Sequence, residues 1–212
     1  MAASETAFLV LLGAVGLGRL LEMRLSRRHQ RALAAGGAPR VADPGFAAMV
    51  ALHTGVLVAA ALEVVALHRP FTPTLGVPAL VAFALANGLR WWVIATLGPH
   101  WNVQVMGSLG FGVVTGGPYR FVRHPNYVAV FVELLALPLI HGAWITALAG
   151  AALHVVVLRR RLAVEEAVLA ADAAYRDTMG GKPRFIPSLP SLTRARPSQG
   201  AARPGGAEWP TS

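Results

Sequence analysis

Apolar positions along this chain run in long blocks, parted by short connections that carry Arg. They do not alternate with polar positions as they would in half-buried strands. Residues 7–23 form the first block and are expected to be a span: the acidic start at Glu5 and the lack of a cationic lead-in argue against a signal peptide. Residues 47–67 and 75–97 are each long enough to cross a hydrocarbon core of about 30 Å at about 1.5 Å of rise per residue. Residues 127–140 and 143–158 are shorter and flank His141-Gly142. They read as a tight helical hairpin, because one continuous helix would reach about 48 Å and Pro138 would interrupt it. A final amphipathic helix is expected over 162–179, stopped by Gly180-Gly181. The fold class is therefore all-α, a polytopic membrane protein with about five transmembrane helices, a C-terminal helical hairpin and a cytoplasmic amphipathic helix.

Composition agrees with the pattern. Of the 212 residues, 55% are hydrophobic and 14% charged, and mean hydropathy is +0.53, which places the chain in a lipid bilayer. The net charge of +9 does not suggest nucleic acid, since the basic residues flank apolar blocks and form no polar face with interleaved aromatics. Arg24, Arg27, Arg28, Arg31 and Arg40 are expected in a cytoplasmic loop after the first span, and Arg159 to Arg161 mark the end of the hairpin as cytoplasmic. That orientation, in a cell inner or plasma membrane, puts the N-terminus outside. With no Cys, thiolate metal sites and Cys nucleophiles are excluded, and no metal site is expected. Lys182 is the only lysine and lies in a polar stretch, which excludes most Schiff-base schemes.

Three regions follow: 1–97 with three N-terminal spans, 98–187 holding the candidate chemistry, and 188–212, whose Pro, Ser, Gly and Arg content reads as a disordered tail. In the middle region the densest signal is Gly117-Pro118-Tyr119-Arg120-Phe121-Val122-Arg123-His124-Pro125-Asn126-Tyr127, where polar and aromatic side chains meet the start of an apolar helix. Interfacial anchoring would explain a lone Tyr or Arg there; eleven mixed residues ask for more. A second signal is Arg161 with Glu165 and Glu166, where the i, i+4 spacing puts Arg161 and Glu165 on one helix face. A hairpin brings both signals to one cytoplasmic end.

These two motifs resemble the isoprenylcysteine carboxyl methyltransferase family, in its bacterial YpbQ-like branch, over about residues 88–187. The resemblance implies an S-adenosyl-L-methionine-dependent methyltransferase with a cofactor pocket built from the hairpin and the segments around it. By position, Phe111, Gly112, Val113 and Val114 would line the adenine side, Tyr119, His124, Pro125, Asn126 and Tyr127 would close around the cofactor, and Glu165 would hold its polar end. Gln104 matches a further cofactor contact, and Arg161 the arginine that orients substrate. Two positions depart from the family pattern: Ala129 stands where a Gly is usual, and Phe111 where a His is usual.

The implied chemistry suits these residue types. A sulfonium is a cation that fits against a Tyr face, and its amino group suits a carboxylate. A carboxylate or acidic enol is already ionised, so alignment and desolvation suffice, while a neutral phenol would draw on His124 as base. The resemblance implies a lipophilic small-molecule or prenylated acceptor: a prenylated cysteine for the family, an alkylpyrone or alkylresorcinol hydroxyl for the YpbQ-like branch. The second is expected here, because an Ala- and Arg-rich chain with one Lys suggests a bacterium of high GC content, where prenylated C-terminal cysteines are not expected. Oligomeric state is open. His53, Glu63, Asn87, Arg90 and Glu133 lie in or near spans, where ionisable groups face a partner or a cavity; helix packing is favoured for His53 and Glu63, while Arg90, beside Trp91 and Trp92, is a candidate substrate contact at a lateral entrance. Gly107-x-x-Gly110-x-Gly112 lacks the strand and helix of a dinucleotide fingerprint. The rival readings are an NADPH-dependent membrane reductase of the sterol-reductase type, a phospholipid amine methyltransferase, and a non-enzymatic scaffold.

Overall fold

The computed structural model describes residues 2–38, 41, 43, 45–104 and 112–187. Among them there are six α-helices and no strand: α1 (Ala3–Ala35), α2 (Phe46–Ala66), α3 (Pro73–Leu97), α4 (Pro125–Leu139), α5 (Trp144–Ala170) and α6 (Ala173–Met179). The expected all-helical class is what the chain adopts. Three helices, α1, α2 and α3, are long and apolar enough to cross a membrane, and α4 is a shorter apolar helix. The expected spans at 47–67 and 75–97 and the first arm of the hairpin fall on α2, α3 and α4 to within a residue or two.

α4 packs between α3 and α5, α5 lies on α2, and α1 leans on α2. The outward faces carry Leu17, Leu21, Leu62, Leu85, Leu148 and Leu153, all more than half exposed, as expected of helices whose surroundings are lipid. Helix contacts rest on small residues: Ala60, Ala129, Ala143 and Ala147 are wholly buried, and a Cβ on Gly150 of α5 would stand 2.8 Å from Cγ2 of Val56 on α2. Small side chains let backbones approach where no water-driven collapse supplies the force.

Buried charges tie the helices together. Glu63 of α2 accepts hydrogen bonds from Ile145 N at 3.2 Å, Thr146 N at 2.8 Å and Thr146 Oγ1 at 2.7 Å. It thereby satisfies the free N–H groups at the start of α5, and Arg69 balances its charge at 3.0 Å. Glu63 is thus a packing residue, as its place in a span suggested. Within the bundle Arg19 and Glu22, one helical turn apart, pair at 2.6 Å, and Arg19 also reaches Glu133 at 3.2 Å. Arg90 binds Glu133 through Nε at 3.0 Å and lies 3.5 Å from Glu22. Asn87 donates to Glu133 at 3.4 Å.

Two expected boundaries are corrected. Arg24, Arg27, Arg28 and Arg31 do not lie in a loop: α1 runs through them to Ala35 and ends only before Gly36 and Gly37, the latter at φ 89°. Arg, Leu and Ala all favour helix, and Glu22, Ser26, Gln30 and Leu33 form one buried stripe that holds the extension to the protein. The helix expected over 162–179 is not one element either. α5 continues past Arg159, Arg160 and Arg161 to Ala170, and Asp172 then starts α6 by accepting from Ala174 N at 2.9 Å. The stop at Gly180 is as expected.

Candidate active site at the mouth of the hairpin

Pro125 opens α4, its missing N–H costing nothing at a first helical position. It sets His124 just before the helix and Tyr127 one residue short of the first turn's end. Backbone bonds from Arg123 N to Pro183 O and His124 N to Arg184 O, each 2.9 Å, strap this approach to the segment after α6. From the other side α5 extends beyond the bundle and presents Arg161, Glu165 and Glu166. Tyr127 Oη donates to Glu165 and accepts from Arg161 Nε at 3.2 Å. His124 Nδ1 lies 3.9 Å from Glu165, and Nε2 lies 3.2 Å from Glu166. The two motifs that stand thirty-four and more residues apart in sequence are therefore in direct contact.

Arg161 is buried and held on all sides. Besides Tyr127 it meets Asp43 at 3.5 Å, Met49 Sδ at 3.0 Å and the carbonyl of Val103. Glu165 and Glu166 differ. Glu166 is engaged by Arg184 at 2.6 Å and Arg123 at 3.4 Å as well as by His124, whereas Glu165 keeps 29% of its side chain open and faces the cavity described below. The bond from Arg184 holds the Glu166 carboxyl below its ordinary range. Burial lowers His124 against the pull of both carboxylates, so its imidazole is neutral near pH 7. Burial raises the Tyr119 phenol and pushes Tyr175 up to about 12, so both stay protonated.

A cavity of about 550 Å3 joins these groups, a volume in the range of small-molecule sites. Gln104, Gly112, Val113, Val114, Tyr119, His124, Asn126, Tyr127, Arg161 and Glu165 all line it, and so does Arg90 at the membrane-side end. Arg90 is buried against Glu133 and Glu22, while Trp91 and Trp92 point outward and are about half exposed. Pro125 is buried beneath the wall, and Phe111 lies outside the described residues. Asn102 Oδ1, Asn126 Oδ1 and Tyr175 Oη, on residues that line the cavity, are buried and have no partner among the described residues. Leu20 of α1 lines the cavity and is 61% exposed, so the space reaches the outer surface of the bundle beside that helix.

Several residues that shape the site were not singled out in the sequence. Ser26 Oγ accepts from Val103 N at 2.8 Å, and His29 Nδ1 donates to the Trp101 carbonyl at 2.6 Å. The α1 extension thus fixes the segment whose Val103 carbonyl meets Arg161. Asp43, a lone acid between two apolar helices, was the one legible hint; Ser26 and His29 were masked by the Arg residues around them. Among the described residues no cluster of His, Asp or Glu could hold a metal ion.

Known proteins resemble the chain over the region that builds this site. Residues 79–171, which run from α3 through the whole hairpin to the end of α5, match the isoprenylcysteine carboxyl methyltransferase (ICMT) family. The chain is 26% identical over 163 residues to the uncharacterized protein YpbQ of Bacillus subtilis (strain 168), covering 76% of this chain and 96% of that protein. It is also 28% identical over 153 residues to an uncharacterized protein of Haemophilus influenzae, covering 71% of this chain and 88% of the relative.

Proposed function

We propose, for a chain whose residues 79–171 match the isoprenylcysteine carboxyl methyltransferase family, that it is a membrane methyltransferase using S-adenosyl-L-methionine on an acidic oxygen of a lipophilic acceptor. The observation that carries this reading is the convergence of Tyr127, Arg161, Glu165 and His124 at the mouth of one hairpin, around a cavity that also reaches the lipid-facing surface. The spans are α1, α2, α3 and the two arms of the hairpin, with the N-terminus outside and the site on the cytoplasmic side. Residues 1–97 then serve as the membrane part, 98–187 as the catalytic core and 188–212 as a tail.

The residues at the mouth fit the cofactor. Glu165 supplies an open carboxylate for an ammonium group, and Asn102 Oδ1, Asn126 Oδ1 and Tyr175 Oη are buried polar atoms that no described residue satisfies. Gly112, Val113 and Val114 offer backbone and apolar surface for an adenine ring, with Gln104 and Tyr119 beside them. When bound, the cofactor supplies an electrophilic methyl group. Tyr127, its proton bonded to Glu165, keeps that carboxylate in place, and Arg161, anchored by Asp43 and the Val103 carbonyl, steers an anionic oxygen. Neutral His124 is available to take the proton of a phenol or enol. We assign the acceptor to the enol or phenol hydroxyls of alkylpyrones or alkylresorcinols.

Titration calorimetry of the detergent-purified chain with S-adenosylhomocysteine and, separately, with NADPH tests the reading. Binding of the first, abolished or strongly weakened in Glu165→Ala and Tyr127→Ala, is the expected result. Binding of NADPH alone would overturn it in favour of a reductase, and binding of neither in favour of a scaffold.

A further inference from the structure

The membrane-side half of the cavity carries polar groups for which the cofactor end has no use. His154 of α5 lines the cavity, is 2% exposed, and has no hydrogen-bond partner among the described residues at Nδ1 or Nε2. His53 of α2 lines the same space, and its Nδ1 donates to the Met49 carbonyl at 2.7 Å. With that tautomer fixed, Nε2 is an acceptor. The two rings meet edge to face at 6.2 Å between centroids, which is packing and not a hydrogen bond. Buried polar atoms left unpaired are costly, so a group that both donates and accepts gains by filling this place.

The surrounding charge decides which group. Arg19, Glu22 and Arg90 line this end of the cavity, and Glu133 stands behind them. Arg19 is matched by Glu22 and Glu133, and Arg90 by Glu133 and Glu22. Two guanidiniums against two carboxylates leave no net charge to draw an ion away from water. Helix geometry gives the position. His154 precedes Arg161 by two turns on the same face of α5, about 10 Å, and His53 lies one turn, about 6 Å, beyond Met49, whose Sδ touches Arg161. Leu57, Val93 and Val130 supply apolar wall along the way.

We infer that His53 and His154 form a second polar subsite that takes a neutral hydroxyl of the acceptor, about 6–10 Å from the Arg161 end. The inference rests on the methyl-transfer reading only in calling that ligand the acceptor. It narrows the substrate class to lipophilic molecules with two oxygen functions, one to be methylated and one to be held.

Calorimetry on the full chain in detergent reads this directly, with a resorcinol and a phenol carrying the same long meta-alkyl chain as probes. The wild type binds the resorcinol at least tenfold more tightly. His154→Leu brings the ratio to about one, His154→Asn keeps part of it, and His53→Leu serves as a second variant should His154→Leu fail to fold. S-adenosylhomocysteine affinity, measured on the same samples, stays unchanged in the variants and reports their integrity. Equal binding of the two probes by the wild type, or a ratio that survives both Leu variants, overturns the subsite and leaves the imidazoles to water. Loss of S-adenosylhomocysteine binding by the wild type would instead count against methyl transfer, whatever the probes do.

Discussion

Replacing Glu165 by Gln leaves the shape of the site intact and removes one charge from its mouth. The carboxylate accepts from Tyr127 and stands 3.9 Å from His124 Nδ1, with 29% of the side chain open. A hydrogen bond to a charged group is worth about 1.5–3 kcal/mol, and partial exposure puts this one at the lower end. About 1.4 kcal/mol is tenfold in an equilibrium constant, so S-adenosylhomocysteine should bind about tenfold more weakly to Glu165→Gln. Glu166→Gln is the matched control. Its carboxylate is spent on Arg184, Arg123 and His124, so calorimetry should show cofactor affinity within about twofold of wild type, inside roughly 0.5 kcal/mol for a change away from the ligand. Equal losses in the two variants would refute the assignment of separate roles, and an unchanged Glu165→Gln would remove Glu165 from the cofactor's contacts.

Glu63→Ala strips the start of α5 of its acceptor and leaves Arg69 unpaired, so a fall of about 3 kcal/mol or more in stability is expected, read as a lower melting temperature in detergent with Glu63→Gln retaining part. Ser26→Ala leaves the Val103 N–H unsatisfied at a cost of about 1–3 kcal/mol, and it should weaken acceptor binding through the Val103 carbonyl on Arg161. Asp172→Ala loses the cap of α6, costing about 1 kcal/mol, visible as faster proteolysis after Ala170. His124 is depressed by burial, so between its folded value and the unfolded value of about 6.5 the unfolded chain binds the extra proton. Stability is then full above about pH 6.5 and lost as pH falls through the folded value. Glu166, also depressed, adds to the loss at lower pH, and His124→Asn should flatten the upper part of a melting-temperature profile.

The limits of what the sequence discloses follow from which interactions are local. The spans at α2 and α3 were readable because lipid imposes apolar length, a property of contiguous residues. The hairpin was readable because Gly142, at φ 71°, and Pro138 mark its turn. The pairing of Tyr127 with Arg161 and Glu165 followed from the hairpin, since two arms of similar length must return to one side. Where the outcome depended on distant partners, composition misled. Four Arg residues looked like a loop because Arg marks cytoplasmic segments, yet the same residues favour helix, and only Ser26, Gln30 and Leu33 meeting the rest of the protein decide between the two.

Arg90 carries the same lesson into the bilayer. An Arg within a span signals either a ligand or a partner, and its i, i+4 neighbourhood holds no acid to choose between them. The acids arrive from α1 and α4, as Glu22 and Glu133, and they consume the guanidinium while leaving its edge on the cavity. Charge neutrality at that depth is thus a tertiary property, assembled from three helices. It lets a polar surface sit inside an apolar bundle without attracting ions, and it leaves selectivity there to the uncharged hydrogen-bonding atoms of His53 and His154. A single substitution exposes the balance: Glu133→Gln leaves two guanidiniums facing one carboxylate, and it should destabilise the bundle by about 3–5 kcal/mol while opening the membrane-side end of the cavity to anions. A melting temperature unchanged by Glu133→Gln would mean that the four charges are solvated from the cavity and do not hold the helices together.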